Sequence, residues 1–335
     1  MVVTMIALKS PSRIHIGLID LNGSIGRVDG GVGIALDYPN FYIEGKESSE
    51  IEIEIRAKGI DEDTARSIKN RLFQISKKVL NYIGEEGIYI KVKNTIPLHS
   101  GLGSGTQMAL STGMLISKIY GRELDVKTLA SITGRGGTSG IGVYAFERGG
   151  FIVDGGHTFG KGKDKEVFAP SSASKNVRVP PLLFRYDFKW DIVLTIPKGE
   201  NIHGDREVDI FKRYCPIPLE ETQRICHIIL MKMLPAVVEG DIVSFGESIN
   251  RLQYLGFKRV ELELQRDTVR DLLGELQKVG YSGLSSFGPT LYSICSGKED
   301  IKRIVETSQE FFDRRGIEGE IVITKSNNRG YTLIR

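Results

Sequence analysis

Hydrophobic and polar residues alternate in two short segments of the first hundred residues. In residues 51–55 and 88–92, isoleucine or valine occupies every second position. The positions between them carry charged residues and one tyrosine. A period of two is typical of a strand with one buried face. Between them, residues 65–83 carry apolar side chains every three or four positions, the spacing of an amphipathic helix. The pattern predicts a strand, a helix and a second strand in succession.

The same two patterns continue along the rest of the chain. They predict helices at 104–120, 122–132, 219–234, 239–253, 262–279 and 299–313, and strands at 1–8, 151–153, 191–196, 291–295 and 320–324. A polar segment, residues 158–186, contains two successive prolines and separates the two halves. Mixed helices and strands in both halves predict an α+β protein with two domains, residues 1–187 and 188–335.

The composition is that of an ordinary globular protein and leaves the predicted fold unchanged. Of 335 residues, 40% are hydrophobic and 26% are charged, with a net charge of +3. Lysines and arginines are spread along the chain, which argues against nucleic acid but allows a local pocket for an anionic substrate. No apolar run approaches the roughly 18 residues of a membrane span, and we expect no signal peptide. The isolated Cys215, Cys226 and Cys295 fit a reducing cytoplasm without a disulfide or a zinc site.

The most informative segment is a glycine-rich loop between a predicted strand and a predicted helix. Three alternating glycines let the backbone turn sharply and bring several N–H groups to one ligand. The loop ends where the helix begins, and the unpaired amides and dipole of a helix start favour an anion. A plain glycine turn capped by serine is the alternative, but such a turn does not need three glycines. The residues expected to hold phosphate groups are Ser100, Gly101, Leu102, Gly103, Ser104, Gly105 and Thr106.

Two common phosphate loops do not fit this segment. The Walker pattern requires Gly-Lys-Ser/Thr, and no lysine stands there; the dinucleotide fingerprint requires a glycine where Thr106 stands. Residues 97–109 instead resemble the second motif of the GHMP kinase superfamily. Residues 11–36 resemble its first motif and residues 283–290 its third. This resemblance implies an N-terminal domain similar to the second domain of ribosomal protein S5, followed by a ferredoxin-like C-terminal domain.

The sequence departs from the kinases of that superfamily at Gly142. Many of them carry an aspartate in a motif similar to S-G-x-D, which acts on the acceptor hydroxyl, whereas this chain reads Ser139-Gly-Ile-Gly142. A carboxylate that accepts a proton contributes roughly 10²–10⁴-fold to a rate. The resemblance therefore predicts that the loop still binds phosphates while the chemistry has changed.

A narrower resemblance is to the β-ribofuranosylaminobenzene 5'-phosphate synthase family. It rests on residues 12–31, 135–142, 151–157, 202–205 and 285–289. It implies transfer of ribose 5-phosphate from phosphoribosyl pyrophosphate (PRPP) to the ring carbon of 4-aminobenzoate or 4-hydroxybenzoate. Carbon dioxide and pyrophosphate are released, Mg²⁺ is the implied cofactor, and the product serves methanopterin biosynthesis in archaea. The family often forms dimers, so a homodimer is also expected.

Several charged residues in these motifs are candidates for binding. The glycine loop would hold the pyrophosphate of PRPP, with Mg²⁺ bridging its oxygens. Arg13, Arg27 and Arg135 are candidates for the 5-phosphate and the aromatic acid, because arginine binds phosphate and carboxylate with two hydrogen bonds. An ordinary surface arginine is the alternative for each.

Aspartates and histidines are candidates for acid–base chemistry. Asp20, Asp29 and Asp154 lie beside glycines and could hold magnesium or take a proton, with Asp154 as the metal candidate; a turn-capping role is the alternative. His15 and His203 are expected to act as acid–base groups or to contact phosphate.

Two other functions stay open at this point. An ATP-dependent small-molecule kinase of the same superfamily would use the same loop, although Gly142 argues against it. A ligand-binding regulator without catalysis would keep the loop and lose the chemistry. The two adjacent acids after an apolar run that mark many phosphoribosyltransferases do not occur here, so PRPP would be bound by a different fold.

Overall fold

The fold is known from a computed structural model that describes residues 5–171, 173–174, 177–199 and 205–334, without the side chains at 205 and 206. His203, one of the predicted acid–base residues, lies outside the described residues. The strands are β1 Ile6–Asp20, β2 Arg27–Lys46, β3 Ile51–Ile55, β4 Ile88–Asn94, β5 Phe151–Asp154, β6 His157–Thr158, β7 Leu182–Tyr186, β8 Asp191–Pro197, β9 Tyr281–Leu284, β10 Leu291–Cys295, β11 Gly319–Lys325 and β12 Thr332–Ile334. The α-helices are α1 Glu62–Ile83, α2 Ser104–Ile119, α3 Val126–Thr133, α4 Ile141–Glu147, α5 Asp205–Tyr214, α6 Leu219–Ile228, α7 Leu234–Glu239, α8 Ile242–Leu252, α9 Gly256–Glu263, α10 Asp267–Val279 and α11 Lys298–Arg315, with a π-helix at Ile229–Met233 between α6 and α7.

The first sheet is built around a long antiparallel hairpin formed by β1 and β2. The strand order is β12-β1-β2-β4-β3, and β5, β6 and β7 extend the sheet from β2. Helices α1 and α2 pack on this sheet through apolar faces that include Leu72 and Leu110. The hairpin is important for function because β1 carries residues of the site described below.

The second sheet confirms the expected ferredoxin-like arrangement. Its order is β11-β8-β10-β9, so its strands lie fourth, first, third and second in chain order, and all neighbours are antiparallel. Helices α10 and α11 pack against it with a core of Leu272, Leu276 and Phe311.

One hydrophobic core joins the two sheets. Ile34 of β2 and Ile192 of β8 belong to the same buried cluster as Phe245 of α8. The chain also crosses between the sheets, because β12 pairs with β1 at the edge of the first sheet. The predicted boundary at 187/188 falls between β7 and β8, but the last strand returns to the first half. No helix within the described residues is long and apolar enough to cross a membrane.

Most predicted elements are present, and the differences have local causes. The helix predicted at 262–279 is α10, which begins five residues later at Asp267; its first two predicted residues end α9, a separate helix that was not predicted. The π-helix interrupts the helix predicted at 219–234. Strand β2 and helix α4 were not predicted, because glycines at 30–33 and 134–142 interrupt the hydrophobic patterns on which prediction depends.

Candidate active site

The glycine loop has the conformation that its sequence requires. Gly101 and Gly103 adopt positive φ angles of 82° and 80°, and helix α2 starts at Ser104. Residues with a side chain rarely adopt such angles, so glycine is needed at both positions. No side chain caps the start of α2. The Thr106 amide donates to the Gly103 carbonyl over 3.1 Å, so the amides of Ser104 and Gly105 are the ones that the helix start leaves for a ligand.

Three separate segments of the chain meet at this loop. The Ser285 hydroxyl donates to the Gly101 carbonyl over 2.7 Å and accepts a hydrogen bond of 3.0 Å from the His15 amide. The amide of Arg13 donates to the Leu102 carbonyl over 3.1 Å. The three motif-like regions of the sequence thus form one hydrogen-bonded unit.

In front of the loop is a cleft of about 520 Å³ between the two sheets. It is lined by predicted residues from the first two motif regions and from the glycine-rich stretch 134–142, and by residues that were not predicted, among them Ser286, Phe287 and Gly288 of the third motif region. The predicted residues that line it are Arg13, His15, Ser100, Gly101, Gly103, Ser104, Gly105, Thr106 and Arg135. Leu102 does not line it, because its side chain is fully buried in the core.

Arginines form the positive part of the cleft. Arg13 donates to the carbonyl of Gly101, and burial lowers the pKa of its guanidinium to about 10 while Glu261 and Glu207 oppose that shift. The pKa of Arg135 is also lowered to about 10, by burial and then by the nearby charge of Arg71. Arg71 lies on α1 and was missed, since a charged residue on a helix gives no signal of its own.

The cleft also contains apolar surface and carboxylates. Leu18, Phe211 and Phe287 line it together with Glu207 and Glu261. Burial raises the pKa of Glu207 to about 7, and the charge of Glu261 adds to the shift.

A buried lysine neutralises one of these carboxylates. The Nζ of Lys258 contacts Glu261 and donates to the Leu284 carbonyl over 3.1 Å. Glu207 makes no ion pair of this kind within the described part of the chain. Its carboxyl group can therefore exchange a proton near neutral pH.

A chain of hydrogen bonds runs from the cleft into the first sheet through His15. Its Nε2 lies 3.1 Å from the Ser139 hydroxyl, which in turn lies 3.2 Å from Oδ2 of Asp154. Burial, Arg13 and Lys258 keep the pKa of His15 well below its usual value, so the ring is neutral. Burial raises the pKa of Asp154 to about 7.

Asp154 does not have the arrangement of a metal ligand. Its Oδ1 accepts from the Gly156 amide over 3.0 Å and its Oδ2 from the Gly140 amide over 2.9 Å. Among the described residues no group of three or more histidine, cysteine, aspartate or glutamate side chains could hold a metal ion. The predicted metal role of Asp154 is therefore replaced by a role in shaping the loop that carries Ser139.

Asp29 is enclosed in the protein rather than open to a ligand. Its carboxylate pairs with Lys165 at 2.9 Å and with Nδ1 of His157 at 2.7 Å, and all three side chains are buried. The residue has a φ of 67°, which the pairing holds in place. This contradicts the prediction that Asp29 acts directly on a substrate.

Asp20 and Arg27 also lie outside the residues that line the cleft. Oδ1 of Asp20 accepts from the amides of Asn22 and Gly23, over 2.7 and 3.1 Å. Arg27 donates to the carbonyls of Gly155 and Gly156, over 2.8 and 3.0 Å. The Asp20 contacts shape the turn between β1 and β2, and Arg27 ties the start of β2 to the turn between β5 and β6. The structure therefore gives both residues a positioning role in place of the predicted direct contact.

Gly142 lies in the cleft at the start of α4. A Cβ atom at this position would come within 3.1 Å of Cγ2 of Thr106, the last residue of the glycine loop. A side chain at 142 would therefore stand beside the glycine loop. The absence of a carboxylate here removes the acid that many kinases of this fold use at the acceptor.

Comparison with known proteins gives a consistent result. Residues 70–150 match the family model described as the GHMP kinases N terminal domain, and residues 233–314 match that of the GHMP kinases C terminal. The chain is 59% identical over 329 residues to the β-ribofuranosylphenol 5'-phosphate synthase of Methanocaldococcus jannaschii, covering 97% of this chain and 99% of that one. It is 44% identical to the protein of the same name from Archaeoglobus fulgidus, covering 98% and 99%.

A solved structure extends the comparison to the fold. A homoserine kinase from Cytophaga hutchinsonii superposes with a TM-score of 0.65 at 15% identity, covering 100% of this chain and 98% of that one. At this identity the similarity shows the fold alone. It confirms the expected two-domain GHMP kinase-like architecture.

Proposed function

The chain belongs to the family of the β-ribofuranosylphenol 5'-phosphate synthases, and on this premise we propose that it transfers ribose 5-phosphate from PRPP to 4-hydroxybenzoate. The observation that carries the proposal is that one cleft contains both the glycine loop, which suits a diphosphate, and the aromatic side chains and Glu207 carboxyl group that suit a phenol. We further propose that the product serves methanopterin biosynthesis in the cytoplasm.

The reaction balances without an oxidant or a net proton. The bond between C1 of ribose and pyrophosphate breaks, and its electrons leave with pyrophosphate. The ring carbon that bears the carboxylate then bonds to C1. Loss of that carboxylate as CO₂ returns the electrons of its bond to the ring and restores aromaticity.

The glycine loop supports the first step. We propose that the amides from Gly101 to Thr106, at the positive start of α2, bind the pyrophosphate. Arg13 holds the loop through the Gly101 carbonyl and adds positive charge beside it. These groups stabilise the charge that develops on the leaving oxygen.

Glu207 supports the second step. A phenolate oxygen para to the carboxylate pushes electrons toward the attacking ring carbon, so removal of the phenol proton speeds attack. Because the pKa of Glu207 is raised to about 7, its carboxylate can accept this proton and return it after CO₂ leaves. Phe211 and Phe287 provide an apolar surface for the ring.

His15 is proposed to orient the reactants rather than to carry charge. Its ring is neutral and its Nε2 is fixed by Ser139. A neutral ring does not pair with the carboxylate that must leave, so it does not oppose decarboxylation.

The residues of the cleft fit a magnesium ion that arrives with its substrate. Mg²⁺ keeps several waters and commonly binds phosphate oxygens with one or two protein carboxylates. Glu261 is the carboxylate in the cleft that would hold it, while Glu207 stays available for the proton. When bound, it would offset negative charge on the pyrophosphate.

The hydroxy acceptor is favoured over the amino acceptor by two observations. The relatives are named for a ribofuranosylphenol. A carboxylate with a pKa near neutrality is useful for a phenol, whereas an aromatic amine already donates its lone pair without losing a proton.

Incubation of the purified protein with PRPP, Mg²⁺ and carboxyl-labelled 4-hydroxybenzoate tests the proposal. We expect labelled CO₂ and pyrophosphate to appear together. Consumption of ATP with a hydroxylated acceptor would indicate the kinase instead, and binding without turnover would indicate a regulator.

A further inference from the structure

Two arginines from different elements converge on one point of the glycine loop. A Cβ atom built on Gly105 would lie 3.5 Å from NH1 of Arg71 and 3.5 Å from NH1 of Arg135. Arg71 comes from the middle of α1, and Arg135 follows α3. Because residue 105 has no side chain, the space between the two guanidinium groups is open to the cleft.

Neither guanidinium group has a partner among the described residues that would balance its charge. Within the described ranges, the side chains of Arg71 and Arg135 make no ion pair and no hydrogen bond, and Nε of Arg135 is buried without a partner. Arg66 on the same helix is different, since it pairs with Asp63 at 3.2 Å. Native proteins usually satisfy buried polar groups, so the unsatisfied Nε of Arg135, beside a second unpaired arginine in the cleft, calls for an explanation.

An anion with two negative charges would balance both guanidinium groups. The charge of Arg71 lowers the pKa of Arg135, which shows that the two cations repel each other in the free protein. A monocarboxylate would balance only one of them. A terminal phosphoryl group carries close to two charges and three acceptor oxygens, and arginine forks match this geometry.

We propose that Arg71 and Arg135 form a clamp for a terminal phosphoryl group of the ribosyl donor. This inference rests on the proposed function, in which PRPP is the donor. PRPP has two such groups, the 5-phosphate and the outer phosphate of its pyrophosphate. Both groups are terminal phosphates with the same charge and acceptor oxygens. Binding of ribose 5-phosphate and of pyrophosphate, measured separately, shows which of them the clamp holds.

Isothermal titration with ribose 5-phosphate and with pyrophosphate, each in the presence of Mg²⁺, tests the clamp. We expect Arg71→Gln to weaken at least one of these ligands tenfold or more, because a charge-assisted two-bond contact is lost. Arg71→Lys should recover only part of the affinity, since it restores the charge without the fork. The matched control is Arg66→Gln, which removes an exposed arginine from the same helix and should leave both affinities unchanged.

The outcome separates the clamp from the proposed function. If Arg71→Gln binds both ligands as wild type does, the clamp is refuted, whatever the enzyme's activity. If the variant loses phosphate binding while the wild type shows no turnover with PRPP and 4-hydroxybenzoate, the clamp stands and the proposed function fails. In an active enzyme, Arg71→Gln should raise the KM for PRPP at least tenfold and leave the KM for 4-hydroxybenzoate within twofold.

Discussion

The hydroxyl of Ser285 donates a hydrogen bond of 2.7 Å to the carbonyl of Gly101, across 184 positions of the chain. This bond joins the segment between β9 and β10 of the second sheet to the phosphate loop of the first. The same hydroxyl accepts from the amide of His15. One buried side chain therefore ties together the loop, β1 and the second half of the protein.

Replacing Ser285 with alanine should loosen the loop and weaken donor binding. We expect a loss of about 1–3 kcal/mol in the free energy of unfolding, because buried backbone groups lose their partner. The KM for PRPP should rise severalfold. The control Ser293→Ala removes a hydroxyl that bonds Ser282 at 2.7 Å inside the second sheet. The Ser293→Ala variant should lose a similar free energy of unfolding while its KM for PRPP stays unchanged. An equal rise of this KM in both variants would refute a specific role for Ser285.

Valine at Gly103 should damage the phosphate loop directly. The position has a φ of 80°, and a Cβ atom would lie 3.0 Å from Cγ of Arg13. We expect the KM for PRPP to rise tenfold or more. Gly121→Val is the matched control, since Gly121 has a φ of 60° but no atom within 4 Å of its built Cβ. An unchanged KM and turnover in Gly103→Val would place the pyrophosphate elsewhere.

Glu207 should give the reaction a dependence on pH and on the acceptor. Its pKa of about 7 means that the carboxylate form predominates above that pH. With 4-hydroxybenzoate, kcat/KM should rise with pH up to about 7 and then level off. Glu207→Gln should abolish this rise and reduce the rate roughly 10²-fold or more. With 4-aminobenzoate the same substitution should have a much smaller effect, and equal losses would show that Glu207 is not the base.

Asp154 should make stability depend on pH in a predictable direction. Its pKa is raised in the folded protein from 3.8 to about 7, so the folded state binds the proton more tightly. Its contribution is complete below pH 3.8 and is lost as the pH rises toward 7. The unfolding free energy of wild type relative to Asp154→Asn should fall over this range, by up to about 1.4 kcal/mol per pH unit.

Asp164 provides the opposite case for the same measurement. A hydrogen bond from Thr158 is the largest cause that lowers its pKa. Its contribution to stability is present above pH 3.8 and is lost as the pH falls. The unfolding free energy of wild type relative to Asp164→Asn should therefore rise with pH, opposite to the result for Asp154. Equal slopes for the two variants would contradict the burial argument for Asp154.

Local patterns in the sequence were sufficient for most helices, for the phosphate loop and for β8, β10 and β11 of the second sheet, but not for β9. Each depends on residues close together in the chain, such as the alternating glycines from Gly101 to Gly105. Strand β12 was not predictable in this way, because three residues carry no period and their partner β1 lies at the other end of the chain.

The site was only partly predictable for the same physical reason. His15, Arg13 and Arg135 were found because they lie in motifs, and they do line the cleft. Arg71 and Glu207 lie on ordinary helix faces, where charged residues are expected whether or not they bind a ligand. Asp20 and Asp29 were chosen for the glycines beside them, but those glycines serve turns and strand pairing.

The central claim is that one cleft joins ribose 5-phosphate to an aromatic ring as CO₂ leaves. The most direct measurement follows PRPP, Mg²⁺ and carboxyl-labelled 4-hydroxybenzoate with the purified protein, counting labelled CO₂ and pyrophosphate and identifying the organic product by mass and NMR. We predict equal amounts of CO₂ and pyrophosphate and a product with a carbon–carbon bond between C1 of ribose and the phenol ring. Pyrophosphate release without CO₂, or a product in which the ring keeps its carboxylate, would contradict this account.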